Sequence, residues 1–184
     1  MGTIGDVYTM KDGRLVEAIR LREMGRAKQD PSILGEARAL LLDLLAAYPD
    51  EAEITYQLAI VHDNLGLERE AIPFYLQTLG QGLSGRDTAT SLMKRERAFL
   101  GLGSTYRALG QYQQAEETLR RGLTEFPQSR ALQVFLAMAL YNRQQHREAM
   151  ELALTNLAET TADEALQYYK RGIVFYAHHL DETW

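Results

Sequence analysis

Cysteine is absent from the 184 residues, which excludes disulfides, thiolate nucleophiles and cysteine-ligated zinc and makes the cytoplasm the expected compartment. Long apolar runs are missing too. The longest falls far short of the roughly 20 residues that a membrane-spanning helix needs. The opening, MGTIGDVYTMKDGR, has no apolar stretch of the length a secretory signal requires, and Asp6 stands where a myristoylation signal needs Ser or Thr. Proline is scarce, and three of its four residues (Pro31, Pro49 and Pro127) fall at boundaries of predicted helices. Positive charge is outnumbered, giving a net charge of -5, which disfavours general binding to nucleic acid or to an anionic membrane. No segment alternates as a half-buried strand does. The 46% hydrophobic fraction then describes an ordered, mostly helical chain.

Reactive constellations are equally lacking. There is no Gly-x-Ser-x-Gly elbow, since Ser104 follows Gly103 in the middle of a predicted helix, where a small residue packs. His62 occupies a helix-packing position. His178, His179, Asp181 and Glu182 do not converge on a metal, because adjacent helical side chains point about 100° apart. The run GQGLSG at residues 80–85 matches the dinucleotide fingerprint letter by letter, but it follows a helix rather than a strand and reads as a loop. Glu116 and Glu117 read as surface charges. No catalytic residue, cofactor or metal is expected, and the chain is not expected to be an enzyme.

What is present is repetition. Within residues 99–127, FLGLGSTYRALGQYQQAEETLRRGLTEFP, the landmarks are Phe99, Leu102, Gly103, Tyr106, Gly110, Ala115, Leu119, Leu123 and Pro127. Steps of 34 residues, with one step of 44, carry the pattern to Leu58-Ala59 with Gly66 and Ala71, to Met24-Gly25 with Ala37, and to Leu136-Ala137 with Ala149. A small residue therefore recurs at one site, as Ala37, Ala71, Ala115 and Ala149, where paired helices must approach closely. This pattern resembles the tetratricopeptide repeat (TPR). The runs ALGQYQQAEETLRRGLTEFP and YYKRGIVFYAHHLDETW look like the small bacterial proteins grouped as TPR type 5. The resemblance implies an all-α, right-handed TPR superhelix (α-solenoid) of about four helix-turn-helix repeats plus a capping helix. It carries no reaction.

Taken in order, residues 1–13 read as a flexible terminus and residues 14–184 as a single domain, with repeats at about 18–51, 52–85, 96–129 and 130–163 and a capping helix at about 163–180. The first helix should run from Leu15 to Lys28. Asp30 should then cap the next helix, with Pro31 in its first turn. Asp50 with Glu53 is a weak capping-box analogue, and Pro73 lies near enough to its helix start to be tolerated. Ten extra residues within 80–97 should form an irregular connection to about Gly85 and a long helix from near Asp87. Ser129 should cap the seventh helix, Gln144-Gln145-His146 replaces the glycine turn, and Thr161-x-x-Glu164 reads as a capping box. The last helix is rich in aromatics, including Tyr168, Tyr169, Phe175, Tyr176 and Trp184, and an interface is one reading of that load.

In the resembled family the first helices of successive repeats line a concave groove that receives an extended peptide or a partner helix. On that basis the candidate partner-binding residues are Arg22, Arg26, Tyr56, Asp63, Asn64, Arg97, Arg107, Tyr141 and Asn142, with Gln29, Ile60, Leu100, Ser104, Val134 and Met138 on the same stripes. Arginine forks suit carboxylates and tyrosines give rigid contact area, so the expected partner is a protein or peptide of acidic character. The lysine-and-asparagine clamp of chaperone-binding members is missing, with Arg22, Arg26 and Ile60 at its sites. Two alternatives stand beside the adaptor: a structural protein that dimerises through the aromatic C-terminal helix or the long helix near 87–109, and a regulatory domain for a small ligand.

Overall fold

A computed structural model of the protein describes residues 4–81 and 89–183. Ten α-helices and no strand occur among them: α1 (Ile4–Lys28), α2 (Pro31–Ala47), α3 (Ala52–Asn64), α4 (Glu68–Gln81), α5 (Ala89–Ala108), α6 (Tyr112–Glu125), α7 (Arg130–Asn142), α8 (His146–Thr160), α9 (Glu164–Tyr168) and α10 (Lys170–His178). Where a single domain from residue 14 was expected, the chain divides into two compact units, Met1–Thr105 and Tyr106–Trp184, within α5. Two other expectations are also revised. Residues 4–13, expected to be irregular, belong to α1, and α4 continues through Gly80 to Gln81. The rest of the expected connection, with the predicted helix start at Asp87, lies outside the described residues.

In the first unit α1 pairs with α2, α3 lies against both, and α4 pairs with α3. The reason is a shared apolar cluster: Ala18 of α1, Leu34, Ala37, Leu41 and Leu44 of α2, and Ile54, Leu58 and Val61 of α3 are all buried. Ile54, Leu58 and Val61 are spaced i, i+4, i+7, which puts them on one helical stripe. Gly25 permits the close approach of α2, because a Cβ there would lie 2.9 Å from Leu34 Cγ. His62 is buried in this unit, with its Nδ1 2.7 Å from the Leu58 carbonyl and its ring stacked 5.0 Å from that of Phe74. Asp30 caps α2 as expected, accepting from the Ser32 amide at 2.9 Å. At α3 the analogue fails. Glu51 is the N-cap and makes no side-chain bond there, while Glu53 is held by Gln57 and Lys94 at 2.9 and 2.6 Å.

In the second unit α7 packs against α6 and α8, and α10 packs against α8. Ser129 caps α7 by accepting from the Leu132 amide. The turn into α8 places Gln144 at φ 63°, the left-handed region that Gly66 and Gly110 occupy in the equivalent turns. Glu116 is not a surface charge but 8% exposed: its carboxylate accepts from Arg120 at 2.8 Å and from Arg143 at 2.5 Å, while Arg120 also reaches Glu148. The expected capping helix is two helices, broken at Tyr169. The cap of α9 is Asp163, which accepts from the Leu166 amide, rather than Thr161, whose hydroxyl accepts from the Asp163 amide. Because Asp163 directly precedes the first turn of α9, its shorter reach displaces the threonine.

Candidate functional site

The nine residues singled out from the sequence fall into two groups, one in each unit. In the first unit, three of them are consumed by packing. Arg22 on α1 is 8% exposed. One amino group meets Glu23 at 3.2 Å, Nε has no partner, and burial pushes the guanidinium pKa down against the charge of Glu23. Tyr56 on α3 is 4% exposed, and burial raises its phenol pKa. Asp63 accepts from the Tyr75 hydroxyl at 2.6 Å and lies 3.0 Å from that of Thr105. Burial raises its pKa, and those two hydrogen bonds act in the opposite direction. This is a structural polar layer: it satisfies groups that a helical stack would otherwise bury unpaired. Arg26 and Arg97 face solvent, and Asn64 is half-buried with Nδ2 unpartnered. Tyr75 and Thr105, which complete the layer, lie off the predicted stripes, and nothing in the sequence marked them as partners of Asp63.

In the second unit the predicted residues come together. An open cavity of about 330 Å³ is lined by Arg107, Val134, Ala137, Met138, Tyr141, His146, Ala149, Met150 and Ala153. Arg107, in the last turn of α5, donates from Nε to Asn142 Oδ1 at 2.9 Å, which orients its fork beside the cavity. No carboxylate among the described residues pairs with it. Tyr141 is 63% exposed, its ring 4.8 Å from that of His146 and tilted by 56°. Ala137 and Ala149, the small pair of this repeat, are nearly buried, whereas Met138 and Met150 remain 39% and 50% exposed. Methionines are unbranched and polarizable and adapt to varied apolar partners. The stripe on α7 was legible as a period. His146, Met150 and Ala153 were not, because the repeat register marks α8 only through its small packing residue, Ala149.

A second apolar hollow, of about 380 Å³, is lined by Leu154, Tyr169, Gly172, Ile173 and Tyr176. Tyr168 and Phe175 are exposed beside it, and Phe175 stacks on His179 at 4.4 Å. His178 Nδ1 meets Glu151 at 2.7 Å while His179 Nδ1 meets the Phe175 carbonyl, so the two imidazoles have separate partners. No group of three His, Asp or Glu that could hold a metal ion occurs among the described residues, and none of the described helices is long and apolar enough to cross a membrane.

Residues 52–180 match the family model described as Tetratrico peptide repeat, which covers well over half of the chain. No curated protein matches the sequence.

Proposed function

The chain belongs to the tetratrico peptide repeat family, and from that premise we propose that it is a non-enzymatic cytoplasmic adaptor that docks a partner protein on the second unit. Repeats of this family generally mediate protein–protein interaction. The observation that carries the proposal is the open cavity beside α7 and α8, where exposed Met138, Tyr141 and Met150 surround a floor of alanines and Arg107 stands at the edge with no carboxylate paired to it among the described residues. Apolar contact supplies the affinity there, and a guanidinium with uncommitted donors supplies orientation and a preference for acid. Arg26 and Arg97 give the first unit exposed positive charge of its own, although Arg22, Tyr56 and Asp63 do not serve as contact area.

The test is calorimetry on a partner captured from the native cell. Arg107→Glu and Tyr141→Ala should each weaken binding by about 1–3 kcal/mol. Arg97→Glu reports on the first unit. Wild-type affinity in both second-unit variants refutes the cavity as the docking site. One observation favours a second reading: Tyr168, Tyr169, Phe175 and Tyr176 are 48–82% exposed on α9, α10 and the turn between them, an aromatic density typical of interface surfaces. Self-association through this face would appear as a dimer mass in light scattering at micromolar concentration. A monomer removes it.

A further inference from the structure

Glycine is less favourable inside a helix than any residue except proline, so a helical glycine calls for a packing reason. Gly172 of α10 has none within this chain: outside its own stretch of helix, nothing lies within 4 Å of where its Cβ would stand. Its surroundings are apolar all the same. It lines the hollow of about 380 Å³ together with Leu154, Tyr169, Ile173 and Tyr176, and no charged residue is among them. The same face also carries matching knobs. Tyr169, Gly172, Ile173 and Tyr176 are spaced i, i+3, i+4 and i+7, one helical stripe. When that stripe is reversed about the point midway between Gly172 and Ile173, tyrosine falls on tyrosine and the branched Ile173 falls on the empty place at Gly172. The ends of the stripe are alike in support as well, since Tyr168 props Tyr169 edge-on at 5.0 Å and Phe175 props Tyr176 edge-on at 5.5 Å.

We propose that a second copy of this chain fills the hollow: two α10 helices lie antiparallel across a two-fold axis, with Ile173 of each copy seated at Gly172 of the other and Tyr169 of each meeting Tyr176 of the other. The proposal rests on the reading of the aromatic face as a self-association surface, and it assigns that surface its centre, symmetry and register. A two-fold contact must be self-complementary, and here the knob and the hole are adjacent residues. The area is of the right order. Tyr168, Tyr169, Phe175 and Tyr176, at 48–82% exposure, present about 500 Å² between them, a large share of the roughly 800 Å² per copy that a stable interface buries. This hollow and the α7–α8 cavity share no lining residue, so each copy brings its own docking cavity and the adaptor becomes bivalent.

The test uses the full chain in sedimentation equilibrium, with a thermal melt of each variant as the folding control. The wild type should dimerise at micromolar concentration. Gly172→Leu fills the hollow from within; it should melt no lower than the wild type at a concentration where both are monomeric, yet weaken the dimer roughly tenfold or more. Should that variant lose its helical signal, the smaller Gly172→Ala carries the same test, while Gly35→Ala, far from the hollow in sequence and also free of neighbours, should leave the dimer unchanged. Register is read by cross-linking, which the absence of cysteine makes clean. A short bis-maleimide should join Tyr169→Cys to Tyr176→Cys in a mixture of the two variants and join neither efficiently to itself. A wild type that stays monomeric overturns the proposal together with the self-association reading. A dimer that Gly172→Leu leaves intact, or that cross-links Tyr169→Cys to itself as well as in the mixture, overturns the proposal while self-association stands.

Discussion

Gly101 and Gly35 are both helical glycines, and the space around them predicts opposite responses to alanine. A Cβ on Gly101 would lie 2.4 Å from the Tyr75 hydroxyl, which cannot withdraw without giving up its 2.6 Å bond to Asp63. Around Gly35 nothing lies within 4 Å. Gly101→Ala should therefore destabilise by about 1–3 kcal/mol through overpacking, outweighing the gain in helix propensity. Gly35→Ala should stabilise by about 0.5–1 kcal/mol, since propensity and unfolded-state entropy act alone. Chemical denaturation of the two variants decides both, and like signs would mean that the α4–α5 contact is misplaced. His62 supplies a pH test at the same scale. Burial lowers its pKa, with the Leu58 carbonyl partly opposing, so the folded state holds the neutral ring. Stability is then full above the ordinary histidine pKa of about 6.5 and falls as pH drops through it. His62→Phe should flatten the melting temperature between about pH 7.5 and 5.5, and an unchanged slope would show that the ring is not kept neutral by the fold. The alanine register was legible at this scale because a helix crossing admits only a small side chain: Ala37, Ala71, Ala115 and Ala149 are all buried. Depth was not legible. Period assigns Arg22 and Tyr56 to a face, but only the distance to the neighbouring helix decides whether that face is open.

Among the elements, the turns carry the informative strain. Gln144 holds φ 63°, a conformation that costs a side chain about 1 kcal/mol and costs glycine almost nothing. Gln144→Gly should raise stability by about 0.5–1 kcal/mol, less the weak exposed contact to His146. A loss of stability would indicate that the His146 contact, and not the backbone, fixes the turn. Glu116 ties α6 to the α7–α8 turn. Burial raises its pKa, but the bonds from Arg120 and Arg143 outweigh that and hold it below the ordinary carboxylate value. Its contribution is present above that value and is lost as pH falls through the lowered one. Glu116→Gln should cost about 1–3 kcal/mol at neutral pH and less in acid. Helix starts were read correctly where a short polar side chain precedes the first turn, as at Asp30 and Ser129. The extent of α1 was not, because an apolar stripe reports only the part of a helix that packs, and Leu15 is the first described side chain of α1 against the core cluster. The break at Tyr169 was invisible for the opposite reason: the apolar spacing runs through it undisturbed.

For the whole molecule, the family and the all-α pattern were legible because the same small-residue and turn positions recur. The division into two units was not, since α5 crosses it without a sequence signal. The predicted groove residues therefore fall into separate units, with Arg22, Tyr56 and Asp63 in the first and, in the second, Arg107 and Tyr141 at the cavity and Asn142 bonded to Arg107, and the proposed docking site rests on the second set alone. Hydrogen exchange of the full chain with and without its captured partner tests that assignment directly. Binding at the cavity predicts slowed exchange over residues 130–153 of α7 and α8, lost in Tyr141→Ala. Protection confined to residues 164–180, or to the helices of the first unit, would contradict it.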